Sequence, residues 1–148
     1  MLVYLGGPID SARNLDDEIE WRSDVRVRLR ERGITTFDPL AAWGGYCSDR
    51  KVAESIAAMD LKVIKECDLL LARYSLASFG TSVEVGVAVS INIPIILWGK
   101  DLEEATSAVL EHRLISKVAS SLDAVDLALS LLESRISLSI SNSENKLH

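Results

Sequence analysis

The chain has 148 residues, which is the usual size of a single domain and long enough to bury a hydrophobic core. Its 22 acidic and 16 basic residues give a formal net charge of −6 at pH 7, which argues against the binding of nucleic-acid polymers. Because 48% of the residues are apolar and 26% are charged, and no apolar run is as long as a membrane span, we expect a water-soluble, cytoplasmic protein.

The first third of the chain predicts two short strands separated by a helix. Residues 2–5 form an apolar run closed by Gly-Gly-Pro, which predicts a buried strand that enters a tight turn. Apolar residues at helical spacing predict an amphipathic helix over residues 14–32. A second strand is predicted over residues 34–37, and the aromatic segment Trp43-Gly44-Gly45-Tyr46 predicts a loop that forms a pocket wall or lid.

The middle of the chain carries its most apolar segments. A helix is predicted over residues 51–66, and the continuous apolar run over 68–72 predicts a third strand that is buried on both faces. Small and β-branched residues over 82–91 predict a short helix packed tightly on the sheet. Residues 93–98 predict a fourth strand, with Pro94 near its start, where a missing N–H donor is tolerated.

The last third predicts a helix over residues 102–112, a short strand over 114–118 and a final helix over 122–133. Alternation of strands and helices favours an α/β fold, a flavodoxin-like or Rossmann-like three-layer sandwich with a five-stranded parallel sheet. Ligands of such folds bind at the carboxyl ends of the strands. We expect one domain over residues 1–134 and a flexible, serine-rich tail over 135–148.

The densest chemical signal is the segment Ser78-Phe79-Gly80-Thr81-Ser82-Val83-Glu84, which follows the third strand. Its small residues and hydroxyls expose backbone N–H groups that could hold a phosphate or a sugar hydroxyl. A carboxylate just inside the following helix would be stabilised as an anion, which suits a nucleophile. The same position also suits an acid that only complements the helix dipole, and the pattern alone does not separate the two.

Four segments of the chain, taken in order, resemble the nucleoside 2-deoxyribosyltransferase family, which includes the 2′-deoxynucleoside 5′-phosphate N-hydrolases. They are Tyr4-Leu5-Gly6-Gly7-Pro8-Ile9, Phe37-Asp38-Pro39, Asp60 to Asp68, and Gly80 to Gly86. The resemblance implies that Glu84 attacks the anomeric carbon of the sugar, expels the base and forms a covalent glycosyl-enzyme intermediate. Water or a second base would then release the sugar, by the logic of retaining glycosidases.

The resemblance also implies roles for two other residues. Asp60 matches the aspartate that contacts the base or helps protonate it as it leaves, and Tyr4 matches the tyrosine that steadies the nucleophile. By sequence pattern alone, Asp60 also suits a solvent-facing helical acid and Tyr4 a core aromatic. Asp68 is expected to be structural, at the entry to the third strand.

Substrate binding is expected at the first loop and at the turn before Glu84. Ser78 and Gly80 match positions that bind the 5′-phosphate in the nucleotide hydrolases, since a hydroxyl and a bare backbone amide are good phosphate partners. Those hydrolases tend to carry a basic residue where this chain has Asp10, which would repel a phosphate unless nearby Arg13 or Arg22 compensates. The full set of expected substrate-binding residues is Gly6, Gly7, Pro8, Ile9, Asp10, Asp38, Trp43, Ser78, Gly80 and Ser82.

Hydrolase and transferase both stay open at this point. The transferases complete their site with a carboxy-terminal asparagine from a neighbouring subunit, and only Asn142 and Asn145 could serve here. The resemblance implies a small-molecule nucleoside or nucleotide substrate and a homodimer or higher oligomer. Cys47 and Cys67 form no CxxC pair, so we expect no metal, and we expect no cofactor. The alternative from another class is a non-catalytic, flavodoxin-like module that binds or senses a nucleotide.

Overall fold

The computed structural model describes residues 1–9, 12, 14–45, 47–105 and 108–144, with side chains through Arg135. The described strands are β1 (Leu2–Gly6), β2 (Thr35–Phe37), β3 (Leu69–Arg73), β4 (Ile95–Trp98) and β5 (Ile115–Val118). The described α-helices are α1 (Leu15–Glu31), α2 (Pro39–Trp43), α3 (Arg50–Glu66), α4 (Phe79–Ser90) and α5 (Ser121–Glu144). Two short 3₁₀ turns lie between β4 and β5, at Lys100–Leu102 and Ala108–Glu111.

The strands form one parallel sheet in the order β2-β1-β3-β4-β5. This arrangement confirms the predicted α/β sandwich with a five-stranded parallel sheet. The chain leaves β1 in one direction, towards β2, and later returns to β1's other side with β3. In sheets of this kind the reversal opens a crevice at the carboxyl ends of the two central strands, which is where a ligand site is expected.

Helices cover both faces of the sheet and form two hydrophobic cores. Successive side chains of a strand point to opposite faces, so Val3 and Leu5 pack with α1 and α5, while Tyr4 packs with α3 and α4. Leu69, Leu70 and Leu71 of β3 are all fully buried. This confirms the prediction from continuous apolarity that the third strand is covered on both faces.

Asp68 fixes the start of the two central strands. Its Oδ2 accepts a hydrogen bond from the backbone N–H of Leu2 at 2.8 Å, which confirms the structural role expected for it. The register of β1 and β3 then places Tyr4 beside Leu70 and Gly6 beside Ala72. The anchor at one end of β1 therefore determines which residues meet at the other end.

Three expectations about local structure are wrong. The stretch predicted as a helix over 102–112 contains the two 3₁₀ turns instead, because only Leu102 and Leu110 are buried among its described residues and they do not form the apolar stripe of a core-facing helix. The last helix does not end near Glu133 but continues to Glu144. Although α5 has 24 residues, neither it nor any other described helix is long and apolar enough to cross a membrane.

Helix α2 is the third departure from expectation. Asp38-Pro39 is the start of a helix, with the Asp38 side chain accepting from the N–H of Leu40 at 3.0 Å and Pro39 in the first helical position. Trp43 is the last residue of α2, and Gly44 ends the helix with a φ of 80°. Trp43 is therefore held by a helix and not by the loop that was predicted.

Candidate active site

Tyr4 and Glu84 meet at the carboxyl end of β1. Tyr4 is fully buried, and its hydroxyl donates a hydrogen bond of 2.6 Å to Oε1 of Glu84. The Tyr4 ring stacks on Phe37 of the neighbouring strand β2, with the ring centroids 5.7 Å apart, and this packing helps to fix the direction of the hydroxyl. The pair predicted from the sequence is thus brought together across 80 residues of chain.

Glu84 reaches β1 because Gly6 has no side chain. A Cβ built on Gly6 would lie 2.9 Å from Oε2 of Glu84 and 3.1 Å from Cβ of Ala72, so an alanine there would push the carboxylate away. Helix α4 also directs Glu84 towards the sheet. Thr81, Val85 and Ala88 of α4 are buried, and Glu84 lies on this same side of the helix.

Burial dominates the electrostatics of Glu84. It raises the pKa of Glu84 to about 7, because an ionised carboxylate loses its hydration there, and the negative charge of Asp60 adds to the effect. The hydrogen bond from Tyr4 and the positive charge of Arg22 oppose it. Oε2 is buried and has no hydrogen-bond partner among the described residues. The carboxylate therefore has one oxygen that is held and one that the protein leaves unpaired.

Asp60 is the second carboxyl group of the site. It lies on α3, and its Oδ1 accepts a hydrogen bond from the indole N–H of Trp43 at 2.9 Å. Burial raises the pKa of Asp60, and the Trp43 hydrogen bond opposes the change. A carboxyl group with a raised pKa keeps a proton more readily near neutral pH, so Asp60 is suited to donate one.

The two carboxyl groups share one cavity of about 220 Å³. Its walls are mostly apolar or made of glycine and carry a few polar groups, as is usual for small-molecule sites. Tyr4 lies behind Glu84. The described residues that line the cavity are Ile9, Pro39, Trp43, Gly44, Gly45, Cys47, Ala53, Ile56, Ala57, Asp60 and Glu84.

The first loop and Asp38 contribute less directly than expected. Ile9 lines the cavity, Gly7 is half-buried and Pro8 is buried. Asp38, whose side chain is 8% exposed, caps α2 and faces Arg22, with 3.5 Å between its Oδ1 and Nε of Arg22. It is not among the described residues that line the cavity. Asp10, Arg13 and Tyr46 lie outside the described residues, as does Asn145.

Ser78, Gly80 and Ser82 lie at the start of α4, outside the described lining of the cavity. The helix begins at Phe79, three residues earlier than predicted, so Glu84 lies in its second turn. Ser78 is buried, and its hydroxyl caps the helix by accepting from the N–H of Thr81 and pairing with the Thr81 hydroxyl at 2.7 Å. Ser82 donates to the carbonyl of Ser78, and Gly80 is exposed.

Sequence reasoning missed the α3 wall of the cavity and an ion cluster around Glu18 of α1, on the other face of the sheet. Ala53, Ile56 and Ala57 precede Asp60 by seven, four and three residues, so helical spacing alone could have placed them on its face. The cluster joins Glu18 of α1 to Arg22 and Arg73 at 2.6 and 2.7 Å. No local pattern could show it, since Arg73 is 55 residues from Glu18. Within the described residues, no group of acids, cysteines and histidines could hold a metal.

One family model and several solved structures match this chain. The family model described as nucleoside 2-deoxyribosyltransferase matches residues 3–134. No curated protein matches the chain significantly in sequence. A solved 2-deoxyribosyltransferase from Bacillus psychrosaccharolyticus superimposes with a TM-score of 0.67 and 19% identity, over 84% of this chain and 90% of that one.

Two further solved structures share the fold. A CMP N-glycosidase from Clostridium botulinum has a TM-score of 0.58 and 19% identity, over 88% of this chain and 99% of its own. A conserved protein from Enterococcus faecalis V583 has a TM-score of 0.59 and 19% identity, over 85% and 95%. This chain therefore spans nearly the full length of the structures that it resembles.

The raised pKa of Glu84 predicts a pH-dependent cost to stability. An acid whose pKa is about 7 when folded and 4.5 when unfolded destabilises the fold as pH rises from about 4.5 through 7. Glu84→Gln cannot ionise, so we expect it to be more stable than the wild type at pH 8 by about 3 kcal/mol, and by much less at pH 5. Urea denaturation at the two pH values measures this difference. Glu54→Gln, at a side chain that is 65% exposed, is the control and should show no such trend; an equal advantage for Glu84→Gln at both pH values would contradict the account.

Proposed function

The chain belongs to the nucleoside 2-deoxyribosyltransferase family, and from this premise we propose that it cleaves the N-glycosidic bond of a 2′-deoxynucleoside or its 5′-monophosphate through a covalent glycosyl-Glu84 intermediate. The observation that carries the proposal is the Tyr4–Glu84 pair at the wall of a cavity that also holds Asp60. The names of two solved relatives, a 2-deoxyribosyltransferase and a CMP N-glycosidase, support the class of reaction.

In the first step Glu84 acts as the nucleophile. The oxygen that Tyr4 does not hold attacks the anomeric carbon, while the bond from that carbon to the base nitrogen breaks and its electrons leave with the base. Such a transition state carries positive charge on the sugar, which a carboxylate stabilises before it bonds. The Tyr4 hydroxyl holds Oε1 at 2.6 Å, so the carboxylate loses little freedom on attack.

Asp60 completes the first step by giving its proton to the departing base. Burial raises the pKa of Asp60, so this carboxyl group keeps a proton more readily than an exposed aspartate does, and the Trp43 N–H fixes the direction of the carboxyl group. Once it has lost the proton, Asp60 is the base that can activate the group that attacks next. The exposed part of Trp43, which is 40% of its surface, offers a face on which a nucleobase can stack.

The second step decides between hydrolase and transferase. Water at the anomeric carbon would release the free sugar, whereas a second base would give a new nucleoside; in either case the bond to Glu84 breaks and the carboxylate is restored. A 5′-phosphate, if the substrate carries one, would lie at the start of α4, where exposed Gly80 and the dipole of a 12-residue helix favour an anion. The Ser78 hydroxyl would have to leave Thr81 to bind it.

Release of free base tests the proposal. We expect the protein to liberate base from at least one member of a panel of 2′-deoxynucleosides and their 5′-monophosphates. Each reaction is run with and without a second free base, and the products are separated by chromatography. Base released without an acceptor indicates a hydrolase, and exchange that requires the acceptor indicates a transferase.

The controls for this experiment separate chemistry from folding. Glu84→Ala should fold and lose at least about 1,000-fold in kcat, since it removes the nucleophile. Turnover retained in that variant would assign the nucleophile to another residue. Binding of panel members with no base released would favour the alternative, a non-catalytic module that binds or senses a nucleotide.

We also propose that the protein is a homodimer, joined near the start of α4. Three apolar side chains are exposed there beside the site: Leu76 (57%), Phe79 (83%) and Val83 (41%). A patch of this kind on a chain of net charge −6 is typical of a contact with another protein surface. A second copy of the chain is the partner that we propose, in keeping with the oligomers usual in the family.

Light scattering coupled to gel filtration tests the dimer. We expect the wild type to elute with the mass of two 16.2 kDa chains, and Phe79→Ser to elute as a monomer because the most exposed apolar contact is lost. Ile19→Ser is the matched control, since Ile19 is 50% exposed on α1, away from the patch. A monomeric wild type, or a Phe79→Ser protein that stays dimeric, would overturn this proposal.

A further inference from the structure

Arg22 is a buried cation that the reaction described above does not use. It lies on α1, and its side chain is 1% exposed. Its Nη1 donates to Oε2 and to the backbone carbonyl of Glu18, at 2.6 and 3.1 Å, and its Nε lies 3.5 Å from Oδ1 of Asp38. Burying a guanidinium is costly unless its N–H groups are hydrogen-bonded, and in Arg22 only Nη1 makes hydrogen bonds to described residues. The burial of Arg22 therefore requires an explanation.

The rest of the guanidinium faces the end of β1. Nη2 is buried without a hydrogen-bond partner among the described residues, and a Cβ built on Gly7 would lie 2.9 Å from it. A Cβ built on Gly6 would lie 2.9 Å from Oε2 of Glu84. Gly6 is the last residue of β1 and Gly7 follows it, while α1, which carries Arg22, and α4, which carries Glu84, cover opposite faces of the sheet. Because neither glycine has a side chain, the Arg22 guanidinium and the Glu84 carboxylate approach the same short segment of backbone from opposite faces of the sheet.

We propose that Arg22 is a positioning residue for Glu84. The positive charge of Arg22 acts through the Gly6-Gly7 backbone and favours the ionised form of the Glu84 carboxylate on the other face of β1. The inference rests on the proposed function, because a glutamate must be ionised to attack the sugar. The two glycines are then required together, because a side chain at either position would separate the charges of Arg22 and Glu84.

The other charges around the pair support this assignment. On the cavity side, Asp60 repels the ionised Glu84, while burial raises the pKa of Glu84 and the Tyr4 hydroxyl and Arg22 lower it. On the α1 side, Glu18 divides its two oxygens between Arg22 and Arg73, so it does not neutralise Arg22 alone. Arg26 also faces Asp38, at 4.0 Å, but its side chain is 44% exposed and solvent screens it.

Carbon-13 NMR of the glutamate side chains tests the proposal without any substrate. The Glu84 resonance is identified by its loss in Glu84→Gln, and its titration midpoint is compared between the wild type and Arg22→Gln. We expect the midpoint to rise by about 0.5 pH unit, the size expected for one charge acting across a strand. Arg22→Lys, which keeps the charge, should restore most of the wild-type value, and Arg26→Gln should leave it unchanged. An unchanged midpoint in folded Arg22→Gln would overturn the proposal.

A second variant answers the case in which Arg22→Gln fails to fold. Glu18→Gln removes the negative charge beside Arg22 and keeps one oxygen that can accept the hydrogen bonds from Trp21 and Arg22. The amide NH2 then replaces the oxygen that accepts from Arg73. The proposal then requires a shift in the opposite direction, towards lower pH. General damage to the site would not give shifts of opposite sign in the two variants, and a midpoint that rises or stays unchanged in Glu18→Gln would overturn the proposal.

Activity distinguishes this inference from the proposed function. If the wild type releases base, the acid limb of its kcat profile should move to higher pH in Arg22→Gln by the same amount as the NMR midpoint. Base release with no change in either quantity would reject the role of Arg22 and keep the function. A shifted NMR midpoint in a protein that releases no base would keep the role of Arg22 and reject the proposed function.

Discussion

The hydrogen bond from Tyr4 to Glu84 is the contact on which the rest of the site depends, because it joins the end of β1 to the helix that follows β3. It forms only if several independent features agree. The Asp68 anchor sets the register of β1 against β3, the Ser78 cap sets where α4 begins, and Gly6 leaves room for the carboxylate. A shift of one residue in β1 would turn Tyr4 to the other face of the sheet.

Holding this carboxylate costs stability. Burial raises the pKa of Glu84 to about 7 and raises that of Asp60, and the two acids repel each other within one cavity. A fold under selection for stability alone would replace one of them with an apolar residue. Tyr4 and Arg22 offset part of the cost, since each favours the ionised form of Glu84. The same residues thereby set how much of the nucleophile is ionised near neutral pH.

Much of the fold and the centre of the site could be predicted from the sequence, because they follow from local patterns. Short apolar runs separated by amphipathic segments predicted each strand to within a few residues, and the resemblance at Tyr4 and Gly80 to Gly86 pointed to Glu84. What was missed depends on contacts between distant residues. The Glu18–Arg73 ion pair spans 55 residues, and the two 3₁₀ turns after β4 depend on which side chains find a place in the core. Helix α2 was missed for a different reason, since Asp38-Pro39 both ends a strand and starts a helix.

The central claim is that Glu84 bonds to the sugar, and mass spectrometry after an acid quench tests it most directly. Excess enzyme is mixed with a substrate that releases base, without an added acceptor, and the reaction is stopped during the first turnover. The account predicts a fraction of protein heavier by one glycosyl group, or one glycosyl phosphate for a monophosphate, with the added mass on the peptide that contains Glu84. The same adduct on another peptide, or in the Glu84→Gln variant, would contradict it.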